Sequence, residues 1–424
     1  MAETSSQKGN VAAIATMFAL FFMIAFVTNF AGSMAVVAKN QFQATDTASQ
    51  LGSAANFFAY LFMGIPGGLI LKRKGYKMTA LLAAAVGFIG LGIQLLSGYV
   101  PANCQPFYVY IVGAFVAGFS MCLLNLVVNP LLNTLGGGGN KGNQLVQLGC
   151  SINSIGATLA PMILGMLIGG AMDDATVSKV APAMIIAMVL FAIAFAIVAC
   201  SKIPEPHLET AQEKADRLAG KTSVFKDIID TLGFRHFTLG AIAIFFYITI
   251  ESGIPNMANL YMSNIKEVGP AVAGSVVAIY WLAMMIGRIV GGAIGGKISS
   301  RSMITVLSLM GIVTLLAMIY MPVKFVTVFG KTMPVSMCLL FVCGLATSVM
   351  WGGLFNLAAE GLGKYVPMGS GIFMACVFGG VLLPLQGKLA AAIGHLGSYW
   401  MTIALFAYIF IYANFLSKPT KRAD

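Results

Sequence analysis

Glu251 is the residue whose surroundings most constrain the chemistry of this 424-residue chain. It lies inside the apolar run Phe245-Phe246-Tyr247-Ile248-Thr249-Ile250-Glu251-Ser252, whereas the other acids fall in predicted loops, tails or helix ends. A charge near a bilayer centre costs roughly 2.5–3.5 kcal/mol on insertion scales, so an acid placed there marks a functional position. At 1.5 Å per residue, about 15 residues of helix put it about 22 Å along the axis, near mid-membrane. A carboxyl exposed alternately to two sides can take up a proton on one and release it on the other. It can also hydrogen-bond a ligand directly, or serve as half of a structural ion pair. Arg288, the best candidate partner, counts out nearer the far end of its own span, which speaks against the ion pair.

Uncharged polar residues recur in the same kind of surroundings. Asn29 follows Thr28; Asn56 and Tyr60 stand one turn apart; Asn125 and Asn129 share a helix face at i, i+4. Asn153 precedes Ser154, Asn256 and Asn259 follow Glu251, and Trp351 precedes Asn356. Amides offer donors and acceptors without charge, which suits a polyhydroxylated neutral ligand. An indole such as Trp351 can stack on the apolar face of a sugar ring. The competing role for each amide is to join helices, worth about 0.6 kcal/mol per bond. Lys72, Arg73, Arg288, Lys297 and Glu360 read as gate or conformational residues near helix ends.

Other chemistries lack their residues. Gly136-Gly137-Gly138-Gly139-Asn140-Lys141-Gly142 follows an apolar helix rather than a strand and has no Ser or Thr after the lysine, so it reads as a turn, not a phosphate loop. His207, His236 and His395 are isolated, and no Cys/His spacing suggests a metal. With no nucleophile–base or paired-carboxylate constellation in the apolar segments, neither an enzyme nor a cofactor is expected. Of seven cysteines only Cys104 falls in a predicted external loop, so no disulfide framework is implied.

The elements that must position these residues are membrane helices. The chain is 58% hydrophobic and 9% charged, a balance that cannot cover a soluble surface. A bilayer core takes about 20 apolar residues per helix. Twelve stretches qualify, at 11–38, 52–71, 78–99, 106–134, 144–171, 179–201, 236–262, 270–295, 302–322, 333–356, 366–392 and 396–416. The first is too long for a signal-peptide core and is expected to stay in the membrane. The net charge of +11 is concentrated in Lys72, Arg73, Lys74 and Lys77, the segment Lys202 to Arg235, and the C-terminal tail. That positive-inside bias predicts both termini in the cytoplasm and explains the basic balance without a nucleic-acid partner.

The polar stretch 202–235 reads as a cytoplasmic linker with an amphipathic helix, dividing a six-span half at 1–201 from another at 236–424. The halves repeat. Phe21-Phe22-Met23-Ile24 recurs as Phe245-Phe246-Tyr247-Ile248 and Gly67-Gly68 as Gly291-Gly292, both 224 positions later. Asn129 with Leu135-Gly136 recurs as Asn356 with Leu362-Gly363 after 227, and Gly156 with Pro161 as Gly379 with Pro384 after 223. Two six-span units in parallel repeat define the major facilitator arrangement, with a solute site between halves near the midplane.

At these residues the chain resembles the fucose–galactose–glucose/proton symporter family. Phe22 through Asn29 to Gln41-Phe42 is similar to that family's first helix. Ile65-Pro66-Gly67-Gly68 with Lys72 is similar to its second, and Leu124-Asn125-Leu126-Val127-Val128-Asn129-Pro130 to its fourth. Asn153-Ser154-Ile155-Gly156-Ala157 resembles the fifth helix and Phe245 to Glu251 the seventh. L-fucose symporters of the family carry carboxylates where this chain has Gly32 and Asn125, while Glu251 matches the glucose/galactose-like branch. The resemblance implies a monomeric carrier of a neutral monosaccharide in a bacterial inner membrane, working by alternating access. The expectation is therefore an all-α, twelve-helix major facilitator protein with substrate and proton at Glu251. A sugar facilitator without ion coupling is the alternative, and a solute sensor the rival from another class.

Overall fold

The structure, a computed structural model, describes residues 2–33, 37–38, 41–44, 51–168, 176–219, 223–265, 268–328 and 330–419. It is an all-α bundle whose twelve spans follow the apolar stretches. Span 1 is Ala2–Ser33, and spans 2 and 3 run through Leu51–Ser97. Spans 4, 5 and 6 are Pro106–Leu135, Gly139–Ile168 and Val177–Cys200. Spans 7, 8 and 9 are Arg235–Ser263, Gly269–Ile294 and Ser300–Tyr320. Span 10 joins Leu340–Thr347 to Met350–Ala359, and span 11 joins Val366–Ala375 to Leu383–Ile393 through a 3₁₀ segment. Span 12 is Tyr399–Ile411 with a π-helical last turn. Helices satisfy their own backbone groups, which is why an apolar chain without water adopts them.

Spans 2 and 3 are separated by Gly75, whose φ of 81° is strained for any residue with a Cβ. The linker settles against this break. Glu205 accepts hydrogen bonds from the backbone N–H groups of Tyr76 and Lys77, supplying acceptors to the first donors of span 3. The Tyr76 hydroxyl shares a 2.6 Å hydrogen bond with His207 Nδ1. Lys77 Nζ donates to the carbonyls of Ala199 and Ser201 at the end of span 6.

Where one amphipathic helix was expected in the linker, there are two. Ala211–Leu218 opens with a Thr210/Glu213 capping box, and Val224–Leu232 is capped by Ser223. The second helix packs on spans 7 and 11. A hairpin of β1 (Phe325–Val328) and β2 (Lys331–Pro334), paired Phe325 with Pro334 through Val328 with Lys331, precedes span 10. Span 10 was expected to begin within β2.

The end of the bundle carrying Lys72, Arg73, Lys74 and the linker is here called the basic end. Near it the first six spans touch the last six. Span 2 meets span 11 where a Cβ on Gly64 would lie 2.6 Å from the Gly371 carbonyl and the Ala375 nitrogen. Span 5 meets span 8 where Leu148 faces Gly292 and Gln144 faces Gly296. Small residues let backbones approach this closely without a polar driving force.

Candidate functional site

Midway along the bundle, side chains from six spans form a nearly continuous belt. On span 4, Asn129 Nδ2 donates to the Asn125 side-chain oxygen (3.2 Å), and Asn125 Nδ2 donates to the Tyr60 hydroxyl of span 2 (3.0 Å). The i, i+4 spacing places both amides on one face, as expected. Trp351 of span 10 crosses to the other half, its Nε1–H donating to Asn129 Oδ1 at 3.1 Å. The indole lies 6.5 Å from the Tyr247 ring and 6.4 Å from Phe373, centroid to centroid.

Tyr247 carries the belt into its charged part. Its hydroxyl donates to Glu251 Oε1 at 2.8 Å, one turn along span 7. Arg288 Nη2 donates to the same oxygen at 3.1 Å, with side-chain exposures of 12% for Arg288 and 18% for Glu251. Among the described residues no donor reaches Glu251 Oε2. Tyr280 of span 8 steadies the spot, its hydroxyl donating to the Glu251 carbonyl at 3.0 Å and lying 3.0 Å from Thr347 Oγ1. Arg288 also donates through Nη1 to Ser154 Oγ of span 5 (3.0 Å) and through Nε to the Ser348 carbonyl of span 10 (3.4 Å).

The Glu251–Arg288 pair corrects the expectation that Arg288 stands too near the basic end to reach Glu251. Cα levels mislead because side chains lean toward the N-terminus of their own helix. Spans 7 and 8 run in opposite directions, so Glu251 leans toward the basic end and Arg288 away from it, and the long arginine closes the gap. Arg288 is thus part of the central site rather than a residue of the end gate.

The remaining expected residues divide. Asn153 donates to the Phe21 carbonyl at 2.9 Å, joining spans 5 and 1 of the same half. Asn56 is 3% exposed and its Nδ2 has no partner among the described residues; Asn259 Oδ1 is likewise buried without one among them. Asn256 is exposed and outside the belt. Asn356 is separated from Trp351 and corrects its expected place among the binding amides. It accepts from Asn133 Nδ2 across the halves (2.7 Å) and donates to Ser300 Oγ (2.9 Å). Together with Gln147 Nε2, which donates to the Val349 carbonyl at 2.7 Å, it closes the basic-end side of the belt. The side chain of Asn29 lies outside the described residues.

At the basic end Lys72 Nζ pairs with Asp227 Oδ2 at 2.8 Å, tying span 2 to the second linker helix. Tyr365 donates to Asp230 of the same helix at 3.4 Å. Arg73 and Lys297 are exposed, as is the Glu360 side chain, whose carbonyl accepts from His236 Nε2 at 2.7 Å. Tyr60 and Ser154, noted in the sequence beside Asn56 and Asn153, join the belt, as do Asn133, Gln147, Tyr247 and Tyr280 at the belt or its basic-end side, which the sequence does not single out. Two of them had a signal: Asn133 continues the Asn125–Asn129 stripe by one turn, and Tyr247 precedes Glu251 by one turn.

This architecture and a polar belt between two six-span sets define a membrane transporter. The sequence matches the model of the Major Facilitator Superfamily over residues 16–384, and the chain belongs to that superfamily. It is 32% identical over 421 residues to a glucose/galactose transporter of Brucella abortus, covering 98% of this chain and 97% of that one. It is 23% identical to the L-fucose-proton symporter of Escherichia coli, covering 98% and 95%. A crystal structure of the E. coli fucose:proton symporter superposes with a TM-score of 0.81 at 18% identity, over 97% of this chain and all of the other. The proton:xylose symporter XylE superposes at 0.72 with 13% identity, over 98% and 97%. These relatives are transporters rather than enzymes.

Proposed function

We propose that the chain carries a neutral hexose across a bacterial inner membrane by rocking of its halves, 1–201 and 236–424, about the central belt. The observation that carries this reading is the belt's composition. Its amides, indole and phenols come from both halves, and its two charges compensate each other, leaving no net charge for an ionic solute. Asn125, Asn129 and Tyr60 present hydroxyl-binding groups from one half, and Trp351 and Glu251 present an aromatic face and a free carboxylate oxygen from the other. The glucose/galactose transporter relative supports the solute class. The basic end is the cytoplasmic end by the positive-inside rule, which places both termini there. The carrier acts as a monomer.

Proton coupling runs through Glu251. Asn125 stands where L-fucose symporters carry an acid, so Glu251 is the belt's single carboxylate among the described residues. The test is counterflow in proteoliposomes preloaded in turn with glucose, galactose, mannose, fructose, L-fucose and N-acetylglucosamine. Accumulation of label against one or more preloads is expected; none with any of them, from folded protein, would overturn the solute class. Glu251→Gln should abolish uphill uptake while sparing exchange. The Arg288 pair favours a second reading, a facilitator in which Glu251 stays charged throughout the cycle. Such a carrier would equilibrate sugar and never concentrate it, with or without a pH gradient.

A further inference from the structure

Four side chains in a row fix which way each hydrogen of the belt points. The indole N–H of Trp351 can only donate, so the atom it meets at 3.1 Å is the oxygen of Asn129. The Asn129 nitrogen then donates twice, to the Asn125 backbone carbonyl (2.9 Å) and to the Asn125 side-chain oxygen (3.2 Å). Asn125 repeats the pattern, its nitrogen donating to the Met121 carbonyl at 3.1 Å and to the Tyr60 hydroxyl at 3.0 Å. Turning either amide over would set its oxygen against a backbone carbonyl, so the order cannot be reversed. An amide nitrogen carries two hydrogens, and at Asn125 and Asn129 both are engaged. Tyr60 therefore accepts at the end of the row, and its own hydrogen meets no acceptor among the described residues. Tyr60 is 6% exposed; Asn56, one turn before it on span 2, is 3% exposed, and its Nδ2 also has no partner among the described residues. A buried donor without an acceptor is uncommon and calls for an explanation. Across the belt Glu251 Oε2 has the opposite need, an acceptor that no donor reaches among the described residues.

We propose that the Tyr60 hydroxyl is a specificity-determining donor of the sugar site: it binds a hexose oxygen that serves as acceptor, while the span 4 amides orient the phenol and give the sugar no hydrogen. The inference rests on the neutral hexose as solute. Asn125 and Asn129 each keep a lone pair on the side-chain oxygen, so they can still accept from a hydroxyl. What they lack, while Trp351 is docked on Asn129, is a free hydrogen. The site is therefore directional. The sugar presents an acceptor to span 2 and a donor to span 7, which sets its orientation between the halves. A site that hydrogen-bonds a ligand group rejects the analogue without it, because the buried partner is left unpaired. Replacing a sugar hydroxyl by fluorine keeps an acceptor and removes the donor, whereas replacing it by hydrogen removes both. The two replacements should thus differ at the carbon whose oxygen meets Tyr60.

The test is competition in counterflow by the full chain in proteoliposomes. The labelled sugar is D-glucose or D-galactose, whichever exchanges faster. The competitors are its deoxy and deoxyfluoro analogues at each hydroxyl-bearing carbon other than the anomeric one. At one carbon the fluoro analogue should compete about three- to tenfold better than the deoxy analogue, the reach of one hydrogen bond. Tyr60→Phe should make the two analogues equal at that carbon. Asn125→Leu should preserve their ratio there, whatever it does to the apparent KM, because the hydrogen belongs to the phenol and not to the amide. A parent in which the fluoro analogue is no better than the deoxy one at any carbon overturns the proposal. So does a preference that survives Tyr60→Phe at every carbon, or one that collapses in Asn125→Leu. Should Tyr60→Phe fail to fold, the parent scan and Asn125→Leu can each still refute it. Exchange of a hexose with equal fluoro and deoxy analogues removes this inference alone; exchange of no hexose removes the solute class and the inference with it.

Discussion

Trp351→Phe removes one hydrogen bond from the belt together with part of the indole's bulk, and the double-mutant cycle below isolates the hydrogen bond. The ring keeps its packing beside Tyr247 and Phe373, but the indole N–H that Asn129 Oδ1 accepts at 3.1 Å is gone. Two magnitudes compete. Hydrogen bonds between membrane helices average about 0.6 kcal/mol, which would make the change nearly silent. An acceptor left buried and unpaired costs about 1–3 kcal/mol. Asn129 is 0% exposed and water does not reach it while the halves are closed, so the second applies. We expect about 1–2 kcal/mol, or roughly 5- to 30-fold at 1.4 kcal/mol per decade, read as a rise in apparent KM for counterflow. Asn129→Val lacks the acceptor and should show a comparable rise. It also frees the Asn125 side-chain oxygen, but that effect is present with and without the tryptophan and cancels in a double-mutant cycle. The double variant should therefore be little worse than Asn129→Val alone. Additivity of the two single effects to within about 0.5 kcal/mol would refute the claim that this bond connects the halves energetically.

Three further outcomes are expected. Gly64→Leu puts a side chain where a Cβ already meets span 11 at 2.6 Å, so it should hold spans 2 and 11 apart, and counterflow should fall by roughly 5- to 150-fold, the reach of overpacking by about 1–3 kcal/mol. Wild-type exchange rates in folded Gly64→Leu protein would show that closure there is dispensable. Burial brings His207 down to about 4, so its contribution to seating the linker is intact above the ordinary histidine value near 6.5 and is lost as pH falls through about 4. Hydrogen-exchange protection over 201–210, taken relative to the intrinsic rate at each pH, should fall across that window in the parent and less in His207→Gln; equal profiles would remove His207 as the cause. Asp227→Asn breaks the pair to Lys72, partly exposed at 16% and 19%, and should loosen the second linker helix by no more than about 1 kcal/mol. A larger loss of protection over 224–232 would mean the pair does more than fasten that helix.

The fold was legible because its signals are long. A stretch of 20 apolar residues has few alternatives to a membrane helix, and the four motifs repeated at offsets near 224 order the halves without any tertiary knowledge. The hairpin before span 10 was missed because Met333 and Pro334 run into the apolar stretch that follows. Its own signal is short: alternating exposure from Phe325 to Val328 and a turn at Gly330 with φ 74°. The second linker helix was missed for the same reason, being nine residues with only a serine cap to announce it.

Within the site, what could be read was what lies on one helix. Asn125 and Asn129, or Tyr247 and Glu251, are one turn apart in any helix, and their shared faces follow from the spacing alone. What could not be read was every contact between helices. Arg288 shows why. Its distance from Glu251 depends on the relative height of two antiparallel spans, on the lean of each side chain, and on a side chain long enough to hide an error of more than a turn in the count. Sequence order gives the first only to within a few residues. Polarity gives no help either, since Ser154 is one of many small hydroxyl residues in the spans and only its place opposite Arg288 distinguishes it. The residues that bridge the halves are therefore the hardest to find from sequence, although alternating access depends on them, because a bridging contact is a property of two spans brought together and is written on neither.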